Sequence, residues 1–249
     1  MIIAVIPARL GSTRLANKVL LKIAGKTMIQ HVWEQAQRVQ GLNGIWIACD
    51  DQKIVDEVKR FGGQAILTRV DHPNGTSRIT EVIEKVPADI VINIQGDQPL
   101  IDVKAIELLA ETLKGDRSLN MATLAIRSKS KDDYQNPNVV KVVCDEKGRA
   151  LYFSRSPLPF SRDSKETPEF WKHIGVYGYR RDFLKQFVSW PAGRLERLEQ
   201  LEQLRVLERG HTIQVIETKQ DFLSVDTAED LKQAEALFKS GERETENAK

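Results

Sequence analysis

The chain has 249 residues, 41% of them hydrophobic, which is enough to bury a sizeable core in one large domain. Its formal net charge of +2 argues against a general binder of nucleic acids or membrane surfaces. Its two cysteines show no paired spacing, and we find no signal peptide and no apolar run of membrane-spanning length, so we expect a soluble cytoplasmic protein without disulfides or zinc.

The first half of the chain alternates between apolar strands and amphipathic helices. Strands are predicted at 2–6, 45–48, 65–67 and 90–94, and helices at 28–39, 50–61, 76–86 and 102–113. The run at 2–6 is continuously apolar, as expected for a strand covered on both faces. This rhythm predicts an α/β fold, with a mostly parallel mixed sheet and helices on both faces.

The second half departs from this rhythm. Strands are predicted at 121–126, 139–143, 151–154, 174–179 and 212–216, with a hairpin turn at 145–148. Leucines at 195, 198, 201 and 204 predict one helix that ends at Gly210, and Asp226 precedes a final amphipathic helix. We predict a single domain over 1–239, with an excursion at about 128–190 and a frayed charged tail at 240–249.

A cationic loop follows the first strand. Arg9, Arg14 and Lys18 surround the small residues 11–13, whose backbone N–H groups can approach an anion closely. Ligands bind at such strand ends in open α/β sheets, so we predict a triphosphate site; the alternative is a solvated basic loop. Neither G-x-x-x-x-G-K-[ST] nor G-x-G-x-x-G is present, which disfavours a P-loop hydrolase and a dinucleotide oxidoreductase.

Two aspartates end strands in the predicted sheet. Asp97 lies in a Gly-Asp-x-Pro turn and can hold Mg²⁺ facing phosphates, or can merely cap the next helix. Asp226 is expected to be a second magnesium ligand only if Asp97 is also a ligand. Taken without Asp97, the sequence around Asp226 favours an N-cap of the last helix, because Glu229 follows three residues later.

Further polar residues suggest contacts with a nucleotide and a sugar. Gly75 and Arg78 begin a helix whose amides could bind a base or phosphate, although a plain helix start is nearly as consistent with the sequence. His173 and Tyr177 lie four apart on one strand and so share a face. With Arg155, Glu202 and Gln203 they suit a hydroxylated acidic sugar, whereas each alone is more often structural.

Several segments in order carry a resemblance to a known family. They are IPARLGSTRL at 6–15, QGDQPLI at 95–101, NPNVVKVV at 136–143, ALYFSRSP at 150–157, HIGVYGY at 173–179, LEQLR at 201–205 and VDT at 225–227. Together they resemble the 3-deoxy-D-manno-octulosonate (KDO) cytidylyltransferase family almost end to end. The resemblance implies a Rossmann-like nucleotidyltransferase fold, of the nucleotide-diphospho-sugar transferase type.

The resemblance also implies a reaction. CMP passes from CTP to the anomeric hydroxyl of KDO with Mg²⁺ and release of pyrophosphate, activating the sugar for lipopolysaccharide biosynthesis. The family is typically homodimeric through the central excursion and a nearby helix. Related acidic-sugar transfer, to sialic acid or 8-amino-KDO, and a non-catalytic nucleotide-binding protein remain the alternatives.

The resemblance assigns residues to four roles. The nucleotide-binding residues are Ala8, Arg9, Leu10, Gly11, Ser12, Arg14, Lys18, Asn74, Gly75, Arg78, Gln95 and Gly96. The sugar-binding residues are Gln95, Arg155, His173, Tyr177, Glu202 and Gln203. Asp97 and Asp226 hold Mg²⁺, and together with Arg9 and Lys18 they are the catalytic set.

The chain departs from the family pattern in one relevant loop. The family usually reads His-x-Ser-Gly-Thr-Asp-Arg, where this chain has Asn74 in place of Ser and Ser77 in place of Asp. Ala16, Gln98 and Cys49 are further departures. None of these departures removes a proposed metal ligand. The loop with Asn74 and Ser77 borders the expected nucleotide site, so these two departures bear on base preference and on the affinity for CTP.

Overall fold

A computed structural model describes residues 1–11, 15–162 and 166–246. The first part of the chain contains β1 (Ile2–Ala8), a 3₁₀ turn (Lys18–Leu20), β2 (Lys22–Ile23), β3 (Lys26–Thr27), α1 (Met28–Gln37), β4 (Gly44–Cys49), α2 (Gln52–Arg60), β5 (Gln64–Leu67), α3 (Gly75–Lys85) and β6 (Ile90–Asn93). The remainder contains α4 (Val103–Gly115), β7 (Met121–Ser128), α5 (Lys131–Gln135), β8 (Lys141–Cys144), β9 (Ala150–Ser154), β10 (Phe170–Arg180), α6 (Arg181–Ser189), α7 (Arg194–Glu199), α8 (Leu204–Glu208), β11 (Gln214–Glu217) and α9 (Ala228–Glu246). No helix in these ranges has both the length and the apolar composition needed to cross a bilayer.

The chain forms two compact units. The first contains Met1–Ala88, Asn93–Lys104 and the chain from Phe222 onward, and the second contains Asp89–Ile92 and Ala105–Asp221. The second unit is therefore larger than the excursion predicted at 128–190. It includes β7, β11 and most of α4 as well.

Parallel strands and helices build the first unit, as the alternating pattern predicted. Strand β4 pairs in parallel with β1 on one side and with β5 on the other. Helices α1, α2 and α3 pack on these strands. Residues 3–6 of β1 have no exposed surface, which confirms that this apolar run is a strand covered on both faces.

Two hydrogen bonds bring distant segments to the end of β1. The backbone N–H of Ile94 donates to the Val5 carbonyl (3.2 Å), so the segment after β6 lies beside β1. The N–H of Val225 donates to the Asp97 carbonyl (2.9 Å). Helix α9 is fixed there by an apolar cluster that contains Ile23, Met28, Val225 and Ala234.

The second unit is built on a mixed sheet. Strand β7 pairs in parallel with β11 and antiparallel with β10, while β8 pairs antiparallel with both β10 and β9. The predicted hairpin turn at 145–148 joins β8 and β9, with Gly148 at a φ of 73°. Glycine adopts that left-handed conformation without steric cost.

The single leucine helix predicted over 195–204 is wrong. The chain forms α7 and α8 instead, and Gln200 between them has a left-handed φ of 52°. Leu198 is 69% exposed, whereas Leu204 is fully buried. A repeat of three residues drifts around an α-helix of 3.6 residues per turn, so these leucines never shared one face. Helix α6 was not predicted at all.

Candidate active site

A cavity of about 400 Å³ lies in the first unit, where β1 ends and α3 begins. Its lining residues are Pro7, Ala8, Arg9, Lys18, Val19, His72, Pro73, Asn74, Gly75, Arg78, Gln95, Gly96, Asp97 and Asp226. It therefore collects most of the predicted nucleotide residues and both predicted metal ligands. Leu10 and Gly11 are described but do not line it, and Ser12 and Arg14 lie outside the described residues.

Gly96 permits the close approach that forms this cavity. A Cβ atom at position 96 would lie 2.8 Å from the carbonyl oxygen of Pro7, closer than real Cβ contacts. Only glycine therefore lets the segment after β6 lie against the end of β1. This contact places Asp97 beside the loop that carries Arg9 and Lys18.

Lys18 joins the two predicted metal ligands. Its Nζ lies 2.6 Å from Asp97 Oδ2 and 2.9 Å from Asp226 Oδ1. The Lys18 side chain is 13% exposed, and the two carboxylates are 27% and 31% exposed. Burial lowers the pKa of Lys18, but the attraction of both carboxylates outweighs it and the net pKa is raised. Lys18 is therefore a permanent cation at neutral pH.

The alternative role of Asp226 as the cap of the last helix is wrong. Thr227 caps α9, because its Oγ1 accepts the N–H of Asp230 (3.2 Å). Asp230 Oδ2 in turn accepts the N–H groups of Thr227 (2.8 Å) and Asp226 (2.9 Å). This capping box leaves the Asp226 carboxylate directed at Lys18.

The donor set fits a hard divalent cation bound together with phosphates. Asp97 and Asp226 converge on one cationic group, so their oxygens can share one small cation. Within the described ranges, no group of three or more His, Cys, Asp or Glu side chains could hold a metal. Mg²⁺ is commonly held by one or two carboxylates plus substrate phosphates, which matches this pair.

Asp50 and Arg78 fasten the cavity wall. Asp50 Oδ1 accepts the backbone N–H of Leu10 (2.9 Å), and Oδ2 accepts from Arg78 Nη2 (3.3 Å). Arg78 Nη1 also donates to Thr68 Oγ1 (2.7 Å) and to the Arg69 carbonyl (3.1 Å). The Arg78 side chain is only 4% exposed. Its described contacts thus hold the loop after β1 and the loop before α3 in place.

The departures at Asn74 and Ser77 preserve the helix start. Asn74 Oδ1 accepts the N–H of Ser77 (2.8 Å), and Ser77 Oγ donates to the Asn74 carbonyl (2.9 Å). Asparagine and serine are comparably good N-caps, and α3 begins at Gly75 with Asn74 as its N-cap. The remaining chemical difference is the absence of a carboxylate at position 77.

His72 lines the cavity and was not among the predicted site residues. Its Nε2 lies 2.8 Å from Glu81 Oε2, and Glu81 also accepts from the Arg69 N–H (3.0 Å) and Lys85 Nζ (3.1 Å). Burial raises the pKa of Glu81, but these hydrogen bonds outweigh it and lower the pKa to about 2. The signal was available, because His72 matches the first residue of the family's His-x-Ser-Gly-Thr-Asp-Arg pattern.

The predicted sugar residues belong to different units. Gln95 lines the cavity of the first unit, whereas Arg155, His173, Tyr177, Glu202 and Gln203 lie in the second. The rings of His173 and Tyr177 lie 5.4 Å apart, which confirms that they share a face. Glu202 and Gln203 lie in the turn before α8, not on a helix as predicted.

Burial controls the ionisation of the His173 and Tyr177 pair. Desolvation lowers the pKa of His173 to about 3, so the ring is neutral at physiological pH. Its Nε2 lies 2.9 Å from Thr123 Oγ1. Desolvation, and then the charge of Glu202, raise the pKa of Tyr177 well above its usual value. The pair therefore offers neutral hydrogen-bonding groups beside a carboxylate.

Arg155 is engaged with backbone carbonyls of its own unit. Its guanidinium donates to the carbonyls of Glu199 (2.7 Å), Pro137 (2.9 Å) and Gln200 (3.3 Å). The fully buried Lys141 donates to three more carbonyls, including that of Arg155 itself (2.7 Å). Arg155 consequently fixes the turn that carries Glu202, whatever else it binds.

Comparison with known proteins supports the family that the sequence motifs resemble. The sequence profile of the cytidylyltransferase family matches residues 3–213. A 3-deoxy-manno-octulosonate cytidylyltransferase of Syntrophobacter fumaroxidans is 51% identical over 234 residues, covering 92% of this chain and 94% of the relative. A protein of the same name from Fusobacterium nucleatum is 49% identical over 232 residues, covering 93% and 94%.

Solved structures extend the comparison to the fold. CMP:2-keto-3-deoxy-manno-octonic acid synthetase complexed with CTP is 43% identical, with a TM-score of 0.92 over 96% of this chain and 99% of that one. 4-diphosphocytidyl-2C-methyl-D-erythritol synthase of Anaerococcus prevotii is 14% identical with a TM-score of 0.63, covering 96% of each, and so shares the fold alone. The predicted Rossmann-like nucleotidyltransferase fold is confirmed. The chain therefore belongs to the 3-deoxy-manno-octulosonate cytidylyltransferase family, as its sequence motifs predicted.

Proposed function

We propose that the protein transfers CMP from CTP to the anomeric hydroxyl of KDO, giving CMP-KDO and pyrophosphate for lipopolysaccharide biosynthesis. One observation carries the chemistry: Lys18 lies against Asp97 and Asp226 in a cavity that Arg9 also lines. The names of the relatives supply the two substrates. We also propose that the reaction takes place in the cytoplasm.

The transfer is an in-line displacement at the α-phosphorus of CTP. A bond forms between the anomeric oxygen and that phosphorus, the bond to the β-phosphate oxygen breaks, and the hydroxyl proton leaves to solvent. Phosphoryl transfer asks a protein mainly for positioning and charge stabilisation. Lys18 and Arg9 offset the negative charge that builds on the departing pyrophosphate.

We propose Asp97 and Asp226 as the ligands of Mg²⁺. Magnesium bound to them supplies Lewis-acid charge stabilisation to the phosphates. The Asp230 capping box and the Val225–Asp97 hydrogen bond hold the two carboxylates in place. The neutral His173 and Tyr177, with Gln95, Arg155, Glu202 and Gln203, are the proposed hydrogen-bonding partners of the sugar.

Pyrophosphate release tests this function directly. The assay contains CTP, Mg²⁺ and KDO, with sialic acid, 8-amino-KDO and the other nucleoside triphosphates as comparisons. We expect release only with CTP and KDO together. Release of pyrophosphate with sialic acid or 8-amino-KDO but not with KDO would change the assigned sugar substrate. No release with any of the sugars would overturn the proposal.

Asp97→Asn tests the site within the same assay. Turnover should fall by about two to three orders of magnitude, because a group that stabilises transition-state charge is lost. The matched control is Asp102→Asn, since Asp102 lies outside the cavity lining and caps α4 by accepting the Lys104 N–H (3.0 Å), a role that asparagine fills equally well. Near-normal turnover of a folded Asp97→Asn protein would exclude its metal role.

We also propose a homodimer formed through the central region of the chain. Leu151 and Phe160 in that region are 61% and 82% exposed. Phe160→Ser should shift the sedimentation coefficient from dimer towards monomer. Val70→Ser, at an apolar residue of the first unit that is 74% exposed, should leave it unchanged. A wild-type protein that sediments as a monomer would contradict the proposal.

A further inference from the structure

The Lys18 ammonium contacts two carboxylates in the cavity. Lys18 Nζ contacts one oxygen of Asp97 (2.6 Å) and one of Asp226 (2.9 Å), the side chains proposed above as magnesium ligands. We infer that Lys18 is an internal counter-ion which a divalent cation must displace, so that the metal binds weakly to the free protein and enters together with CTP. This inference rests on the metal site of the proposed function.

The ammonium and the metal cannot share these carboxylates in the same arrangement. Magnesium requires carboxylate oxygens at about 2.0–2.1 Å in near-octahedral geometry. The Lys18 ammonium is already within hydrogen-bond distance of one oxygen of each aspartate. Two cations on one small pair of carboxylates repel each other strongly where water is partly excluded.

Lys18 has a fixed backbone and a side chain that can swing. Its carbonyl accepts the N–H of Leu21 (3.1 Å) at the end of the 3₁₀ turn, and the next residue, Val19, is 5% exposed. The four-carbon stem lets Nζ change partner without movement of this turn. The carboxylates are held independently, because Asp230 binds the Asp226 N–H and Val225 binds the Asp97 carbonyl.

CTP supplies both halves of the exchange. Its phosphates offer Lys18 a new anionic partner in the cavity, and they offer the metal the oxygen ligands that two aspartates alone do not complete. Each event makes the other more favourable, so binding of the metal and of CTP is positively coupled. Reciprocity requires that CTP also binds more tightly when the metal is present.

Binding of Mn²⁺ measured by electron paramagnetic resonance tests the exchange without turnover. The samples are wild type, Lys18→Met and Lys18→Gln, each without nucleotide and with CTP, and Mn²⁺ with CTP alone gives the baseline. Without CTP, we expect both variants to bind Mn²⁺ about tenfold more tightly than wild type, a size common for coupled sites. CTP should tighten Mn²⁺ binding by wild type more than by either variant.

The control removes the same charge elsewhere. Lys22 is exposed on β2 and does not line the cavity, so Lys22→Met should bind Mn²⁺ as wild type does. Lys18→Arg keeps a cation at the site and should remain a weak binder without CTP. Equal Mn²⁺ affinity of wild type and both neutral Lys18 variants would overturn the inference while leaving the metal site intact. Absence of Mn²⁺ binding by wild type with CTP would overturn both.

Discussion

Asp50 ties together two walls of the candidate active-site cavity. It accepts the Leu10 N–H from the loop after β1 and pairs with Arg78 from α3. Neighbouring Asp51 has a different task, because it caps α2 by accepting the Lys53 N–H (2.7 Å). Two adjacent aspartates in one short sequence thus serve the site and the helix separately.

Asp50→Asn should weaken both the fold and CTP binding. The buried Arg78 would lose its ionic partner, at a cost of about 2 kcal/mol in the free energy of unfolding. The new amide oxygen could still accept the Leu10 N–H, but Arg78 would no longer orient the side chain as an ionic partner, so the loop would be held less firmly and the dissociation constant for CTP should rise. Urea unfolding and titration calorimetry measure the two effects. Asp51→Asn is the control and should change neither; unchanged CTP affinity in Asp50→Asn would contradict the positioning role.

His173 makes stability depend on pH. Its pKa is about 3 in the folded protein but about 6.5 in an unfolded chain, so between these values only the unfolded state takes up the proton. Stability is therefore lost as the pH falls from 6.5 towards 3, by at most about 1.4 kcal/mol per pH unit. Urea unfolding at pH 7.5 and 5.5 should show a smaller loss for His173→Asn than for wild type. An equal loss of unfolding free energy in the two proteins would contradict the role of His173 in this pH dependence.

At the scale of elements, the first turn of α9 combines a structural and a positioning role. Thr227 and Asp230 cap the helix, and Asp230 alone also holds the Asp226 N–H. The two roles separate by mutation, because only one member of the box touches Asp226.

Thr227→Ala and Asp230→Ala should each lower the free energy of unfolding by about 1 kcal/mol, the usual cost of a lost cap. Asp230→Ala should in addition reduce kcat, since the Asp226 backbone loses its acceptor. Urea unfolding and the pyrophosphate assay measure the two quantities. A kcat for Asp230→Ala that matches Thr227→Ala would show that the box acts only as a cap.

Elements whose signal is local were predictable from the sequence. The apolar run of β1, the cap at Asp102 and the hairpin at Gly148 all depend on neighbours along the chain. The break between α7 and α8 was not predictable, because carbonyls at its centre are bound by Arg155, far away in sequence. Long-range contacts of this kind leave no periodic trace in a single sequence.

The candidate site also contains residues that were predictable from the sequence and residues that were not. Arg9 and Lys18 were predictable from residue types after a buried strand, whereas the sugar residues were assigned to KDO only through the resemblance. The structural role of Arg78 was not predictable, since Thr68 and Asp50 reach it by folding. His72 matches the family pattern and could have been predicted, but its contact with Glu81 on the next helix could not.

At the scale of the whole molecule, the proposed substrates draw on different units. Every predicted nucleotide residue that the structure describes lies in the first unit, whereas the sugar residues other than Gln95 lie in the second. Binding of each substrate should therefore leave its own pattern of protection.

Hydrogen exchange measured by mass spectrometry tests this division. CTP with Mg²⁺ should slow amide exchange in residues 8–11, 69–78 and 94–97, because these segments surround the cavity. Residues 150–155 and 199–205 should slow further only when KDO is added. GTP is the control nucleotide and should protect none of them at the same concentration. Protection by CTP that is confined to the second unit would contradict the assignment.

The hydrogen bond between Val225 and Asp97 has a consequence for synthesis of the protein. Arg9, Lys18 and Asp97 leave the ribosome before Asp226, which lies in the segment from Phe222 onward. Long-range contacts form only after both partners are available, so the proposed catalytic set is complete only after Asp226 has been synthesised. A product truncated before Phe222 would carry a phosphate loop and one carboxylate but no turnover.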